Sequence, residues 1–419
     1  MRVGPAGRIA HAFLDSKLTP LLIVASLALG ALALVATPRE EEPQIRVPMV
    51  DVAVAYPGAS EQEVERRVLE PVEKAMWGVA GVEHVYGAAR PGFALVTVRF
   101  LVNESNEDSL VKVYERLSAA SAMLPRDAQP PSVTLHSIDD VPFLALTLWT
   151  DADRAPSLRP LAVELAREIA ELPDTMRAET IGGEPRVVRV EPDPDRMAAA
   201  AVTWADLVGA LRSGAGLQDA GTAVRGNAEL RVEAGPLFRT AEGVGAAVVA
   251  VRSARPLYVR DVARVIDGPA EATRAVFFSP GGAAGAAQAG REYPAVTIAV
   301  AKRPGANATA LSEAVLAKVE RLRPGLLPAD VRVEVTRDYG ETAREKSNEL
   351  VEHLLIATLT VVALISLAMG WRAGLVVGVA VPVTLALTLF IYFLAGYTLN
   401  RVTLFALIFS IGILVDDAI

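Results

Sequence analysis

The sequence predicts a membrane α-helical bundle joined to a large α+β domain outside the bilayer. Three observations predict it: uncharged stretches near both ends, a polar middle of ordinary globular composition, and alternating strand and helix signals through that middle. With 52% hydrophobic residues and a mean hydropathy of +0.34, the 419-residue chain is more apolar than ordinary soluble proteins, and it is too long for one core. The absence of cysteine excludes a disulfide framework and a thiolate metal site, and suits a bacterial envelope protein that crosses an oxidising compartment. A net charge of -8, without a basic stripe interleaved with aromatics, excludes nucleic acid as a partner.

Residues 1–37 form the N-terminus and a first transmembrane helix. Residues 18–36 carry no charge, and at 1.5 Å per residue they nearly cross a ~30 Å hydrocarbon core. A cleavable signal peptide is the competing reading, with Arg2 and Arg8 as its basic region, but signal cores are shorter. A second transmembrane helix is expected over 346–371, ending in the turn Gly370-Trp371-Arg372, and a third over 373–395. Pro382 is tolerable in the third because neighbouring helices can satisfy the freed carbonyl. The fourth, 401–419, is still running at Ile419, so the sequence reads as the front portion of a longer chain. Arg2, Arg8 and Lys17 precede the first helix and Glu40, Glu41 and Glu42 follow it, which puts the N-terminus in the cytoplasm and the middle domain outside; Arg401 is a single exception.

In that middle domain, residues 43–137 read as strand 49–54, helix 60–76, strands 82–86 and 93–100, helix 106–123 and strand 132–135. The first helix starts at a capping box, Ser60 with Glu63. The order β-α-β-β-α-β is that of a split βαβ sandwich. It restarts over 141–184 with strand 143–149, helix 157–172 and strand 178–181, and resumes over 291–337 with strand 295–300, helix 308–322 and strand 331–335. Residues 185–275, with a short helix at 203–212, are an insert, and 276–290, Gly/Ala-rich from Ser279 onward, read as a flexible loop. One irregular α+β domain without repetition is the alternative.

The candidate site is the pair Asp416 and Asp417, which follows fourteen uncharged residues from Val402 to Val415. A carboxylate deep in a bilayer costs on the order of 3 kcal/mol, so such residues normally face protein or water. Burial and an adjacent like charge both favour the protonated form, so the pair can hold a proton and release it when a cation approaches, as a proton relay requires. The plainer alternative is the charged cytoplasmic end of a short helix. The four histidines, at 11, 84, 136 and 353, lack metal-ligand spacing and read as structural. No nucleophile motif, phosphate-binding glycine loop or Walker sequence is present, so neither an enzyme nor an ATP-driven machine is expected.

Several strings, in order, resemble the resistance-nodulation-division (RND) efflux transporters, hydrophobe and multidrug branch: Pro43-Gln44-Ile45, Tyr56-Pro57-Gly58-Ala59, Pro256-Leu-Tyr-Val-Arg-Asp-Val-Ala-Arg264, Pro304-Gly-Ala-Asn-Ala308, Thr398-Leu-Asn400 and Gly412-Ile-Leu-Val-Asp-Asp-Ala-Ile419. The resemblance covers essentially the whole chain. It implies two ferredoxin-like porter subdomains, 43–137 and the split pair 141–184 with 291–337, and makes 185–275 a docking subdomain.

The resemblance further implies an inner-membrane, multi-pass permease that exports small hydrophobic or amphiphilic compounds, uses no cofactor and is driven by the proton gradient. It is expected to work as a homotrimer in membrane lipid, with a periplasmic adaptor and an outer-membrane channel. In that family Asp416 and Asp417 exchange protons against a lysine from a second half outside these 419 residues. The heavy-metal branch has a single Asp at the site and methionine ligands, so the double acid and the 7 Met favour drugs over metals. The porter-strand positions of the substrate pocket fall on Phe143 and Ile181. An aliphatic at 181 narrows the adaptable aromatic surface, and Phe143 as core filler is an equal alternative. Two other functions stay open: an accessory of protein translocation sharing the same bundle, and an inert truncated fragment.

Overall fold

A computed structural model describes residues 13, 16–41, 43, 45–151, 158–214, 216, 218–234, 238–252, 254–281 and 290–418; for 218, 219, 234 and 415–418 only the backbone is described. After helix α1 (Leu18–Ala36), the first α+β layer contains β1 (Met49–Ala55), α2 (Glu61–Val64), α3 (Glu70–Trp77), β2 (Val82–Arg90), β3 (Phe93–Phe100), α4 (Asn106–Ser121) and β4 (Ser132–His136). Its sheet order is β2-β3-β1-β4, with antiparallel neighbours, so each β-α-β crossover is split by an intervening strand.

Alternation builds the core. Val50, Val52 and Val54 of β1 and Val96, Val98 and Phe100 of β3 point to one face, where Val68, Val72 and Met76 meet them. The capping box forms as its spacing predicts, with Ser60 N donating to Glu63 Oε2 at 3.0 Å and Glu63 N to Ser60 Oγ at 3.4 Å. That bond from the Ser60 amide, with its hydroxyl, holds the Glu63 carboxyl below the usual carboxylate range. The expected continuous helix 60–76 instead carries a π-helical turn, Glu65–Leu69, between α2 and α3.

The second layer repeats the strand order. It contains β5 (Leu144–Thr150), α5 (Leu158–Ala170) and β6 (Thr175–Ile181), and later β14 (Tyr293–Lys302), α10 (Ala308–Leu326) and β15 (Val331–Asp338). β14 lies between β5 and β6, and β15 pairs the far edge of β5. Between β6 and β14 the chain leaves through β7 (Arg186–Pro192) and returns through β12 (Ala263–Pro269), paired antiparallel from Arg186↔Pro269 to Pro192↔Ala263.

The insert above this ribbon has its own small core of Met197, Val202, Leu207, Val259, Val262 and Ala263. It comprises α6 (Pro194–Ala199), α7 (Trp204–Gly214), β8 (Gln218–Arg225), β9 (Ala228–Ala234), α8 (Ala241–Gly245), β10 (Val248–Arg252), β11 (Arg255–Tyr258) and α9 (Val259–Val262). The flexible loop expected over 276–290 is corrected at its start: β13 (Val276–Phe278) pairs with Tyr293–Ala295 of β14. Phe278 is held there by stacking on Trp149, with centroids 4.9 Å apart. Residues 282–289 of that expected loop lie outside the described residues.

Among the described residues, three helices are long and apolar enough to cross a membrane: α1, α11 (Tyr339–Met369) and α12 (Trp371–Leu394). A further apolar helix, α13, runs Arg401–Ala418. α11 starts at Tyr339, earlier than the expected 346, because Asp338 caps it through Glu341 N at 3.0 Å. Hydroxyls within the helices donate back to their own carbonyls, as Thr358 does to Leu354 O at 2.8 Å and Thr384 to Ala380 O at 2.9 Å, so these hydroxyls are satisfied without water. Ala33, Ile365, Val377, Val381 and Leu407 form the bundle core.

Candidate functional site: an acid-bearing helix and its anchor

α13 is set by the residue before it. Asn400 Oδ1 accepts from Val402 N and Thr403 N, each at 3.0 Å, satisfying two of the helix's orphan amides. Leu404, Leu407 and Ile411, spaced by three and four, are buried in the bundle. Arg39 pairs with Leu399 in an isolated parallel bridge, so the end of α1 and the start of α13 meet on the side of the α+β domain. From there α13 runs away from that domain, and the backbone of Asp416 and Asp417 lies ~22–24 Å along its axis from Arg401. The side chains of both acids lie outside the described residues.

The anchor is a buried polar chain that sequence reasoning missed as a unit. Asn400 Nδ2 donates to Thr398 Oγ1 at 3.1 Å, Thr398 Oγ1 donates to Glu40 Oε2 at 2.9 Å, and Lys302 Nζ pairs with Glu40 Oε1. Glu40 and Asn400 are each only 3% exposed, a depth at which a carboxylate persists only with charged and hydrogen-bonding partners. The linker after α1 reaches three further elements: Glu40 N donates to Leu399 O (3.0 Å) and Ala308 N to Arg39 O (3.1 Å), while Arg39 Nη1 donates to Asn348 Oδ1 on α11 (2.9 Å). The signals were split between an acidic run used only for orientation, the string Thr398-Leu-Asn400, and a lysine 262 residues from its partner.

Beside the chain lies a cavity of about 100 Å³ lined by Glu40, Asp139, Phe143, Lys302 and Tyr339, among others. Burial pushes the Asp139 carboxyl above its ordinary range, against Lys302 and with reinforcement from Glu40 and Asp140. The folded state therefore binds this proton more tightly than the unfolded one, and wild-type stability rises as pH falls through the raised value. Asp139→Asn is accordingly expected to raise the melting temperature near neutral pH, with the gain shrinking toward pH ~4. Thermal unfolding of both proteins across that range checks it, and a gain independent of pH counts against it.

The two candidate pocket residues are not brought together. Phe143 is buried in the core of the second layer and also lines the junction cavity, whereas Ile181 is exposed at the end of β6. Ladder registers put them two strands and about four positions apart, on the order of 16 Å. Among the histidines, His136 bonds Asp51 at 3.1 Å, His84 stands 4.0 Å from Glu83, His353 is exposed on α11, and His11 lies outside the described residues.

A family model described as the AcrB/AcrD/AcrF family matches residues 9–419. The chain belongs to the AcrB/AcrD/AcrF family. That bears out the resemblance read from the sequence strings. Relatives include the multidrug resistance protein MdtC of Yersinia pseudotuberculosis serotype O:1b (strain IP 31758) and of Yersinia pestis bv. Antiqua (strain Angola). Each is 28% identical over 405 residues, which are 96% of this chain and 38% of the relative. The chain thus spans about two fifths of the length of these curated relatives. The AcrB/AcrD/AcrF family is one of transporters rather than classical enzymes, and with these apolar helices the chain is an inner-membrane protein with a membrane helical part and α+β domains.

Proposed function

We propose that this chain belongs to a proton-driven efflux permease of the inner membrane, exporting hydrophobic or amphiphilic compounds, and that Asp416 and Asp417 are its proton relay. The observation that carries the reading is α13: an apolar helix, capped and packed into the bundle, with two adjacent acids on its last turn, where a charge in lipid would be costly. In this reading the bundle crosses the membrane several times, the α+β domains face the periplasm, and no cofactor is needed because the proton gradient supplies the energy. MdtC, named a multidrug resistance protein, supports a drug-like substrate class.

The two layers are then ferredoxin-like porter subdomains, 43–137 and 141–184 with 291–337. The 185–275 insert docks protomers and the outer-membrane channel, with a periplasmic adaptor completing the assembly. A homotrimer is favoured by the β8–β9 hairpin, whose Leu230 and Val232 share one face and are 52% and 44% exposed, apolar surface suited to a neighbouring copy. Ile181, exposed on β6, is the better candidate for substrate contact, and burial favours a core role for Phe143.

The test is dye extrusion by the complete gene product in an efflux-deficient Gram-negative host. Extrusion of an amphiphilic dye is expected, collapsing on addition of a protonophore and surviving ATP depletion. Extrusion that follows ATP, or none at all, would refute the reading.

A further inference from the structure

We infer that the buried chain Asn400–Thr398–Glu40–Lys302 is a strut that carries displacements of the acid-bearing helix to the outer sheet, with Glu40 and Lys302 as positioning residues. The inference rests on the proton-relay reading and adds the route by which protonation reaches the porter layer.

Continuity is the first argument. The amides that open α13 bond Asn400, Asn400 bonds Thr398, Thr398 bonds Glu40, and Glu40 pairs with Lys302 at the end of β14. The chain is largely shielded from water, with Thr398 8%, Asn400 3% and Glu40 3% exposed and the Lys302 side chain 13%, so competing solvent loosens it little. Backbone bonds run alongside, from Glu40 N to Leu399 O and from Leu399 N to Pro38 O.

Where the strut lands is the second argument. β14 is flanked by β5 on one side and by β6 and β13 on the other, so a push at Lys302 is delivered to an inner strand rather than to an edge. Opposite Ala301 and Lys302 the ladder steps from Arg177 to Thr175, so the extra residue, Met176, lies on β6 and β14 runs straight to Lys302.

The chemistry gives the third argument. A buried ion pair is a poor source of stability compared with apolar residues of the same volume, and it serves best to specify one geometry. At a junction of the α1 linker, the α12–α13 loop, α10 and α11, one specified geometry lets a displacement be passed on instead of absorbed.

The experiment uses the complete gene product. Because these 419 residues contain no cysteine, labels can be placed at Glu334→Cys on β15 and Arg372→Cys in the first turn of α12, both exposed positions, once any cysteines elsewhere in the gene product are removed. Label separation and the infrared titration of the membrane carboxyls are followed together through a pH change. In the otherwise wild-type protein the separation is expected to change with the titration, and Asp416→Asn is expected to abolish both.

Thr398→Val, which keeps side-chain shape, and the charge-neutral double variant Glu40→Gln with Lys302→Met are expected to keep the titration while cutting the separation change by on the order of fivefold. Restoring the pair in reverse, Glu40→Lys with Lys302→Glu, is expected to recover most of the change. A merely structural role would not produce a retained titration with lost motion and rescue by reversal. A full separation change in Thr398→Val overturns the strut alone. A wild-type protein without any pH-dependent change overturns the proton reading and the strut with it.

Discussion

Asp416→Asn is expected to abolish proton-driven export by the complete gene product, a loss on the order of a hundredfold or more, equivalent to ~2.7 kcal/mol of coupling, while expression and assembly stay normal. Asparagine is nearly isosteric and cannot ionise, so the helix that carries it keeps its Asn400 cap and its Leu404, Leu407 and Ile411 contacts. Only proton exchange is removed, and the folded state loses an acid that is costly to hold in a bilayer rather than a stabilising contact. Dye extrusion under an imposed proton gradient, with assembly followed by gel filtration, separates the two effects. Wild-type extrusion by the variant would remove Asp416 from any proton role.

Gly30→Val is expected to produce the largest structural defect in the membrane part. α1 crosses α12 at this glycine, where an added Cβ would stand 2.3 Å from Ala386 Cβ and 2.5 Å from Ala386 Cα. Backbone atoms cannot swing aside as a flexible side chain does, so the two helices must separate. Close approach through small residues is what holds helices together in lipid, where burial of apolar surface gives no net drive. The cost should reach about 3 kcal/mol or more, read as a fall in melting temperature in lipid nanodiscs. Gly378→Ala is the matched control, because its Cβ would meet Val362 methyls at an ordinary 3.6 Å. Equal melting temperatures for the two variants would refute the close-packing account.

Local signals in the sequence were readable where the physics is local. Ser60 and Glu63 announce a helix start three residues apart, and the alternation in 93–100 becomes the buried face of β3. The β8–β9 hairpin was missed although Leu230 and Val232 alternate with charged residues along β9, because those apolar side chains stand exposed and join none of the buried cores. Its turn, however, is Gly226-Asn227, both at positive φ (60° and 61°), a two-residue hairpin signature that was available.

Helix α11 was read short because apolarity marks only the part in lipid, while its polar first turns are held by the Asp338 cap. The Glu40–Lys302 pair had no local signal at all, since its partners come together only when three distant loops do. The candidate acids stood out because charge is rare in an apolar helix, but nothing in a one-dimensional pattern tells what will face them.

Helix α11 has a further consequence. Its 31 residues begin directly after β15 and continue without a break into the apolar span, a rod of ~46 Å. No hinge interrupts that rod at the water boundary, so it behaves as a lever: a tilt of ~5° at one end sweeps the other by ~4 Å. Motion generated among the lipids would therefore arrive at the sheet without backlash, and a flexible splice of glycines between Lys346 and Asn348 would act as a clutch, letting either end move while the other stayed still.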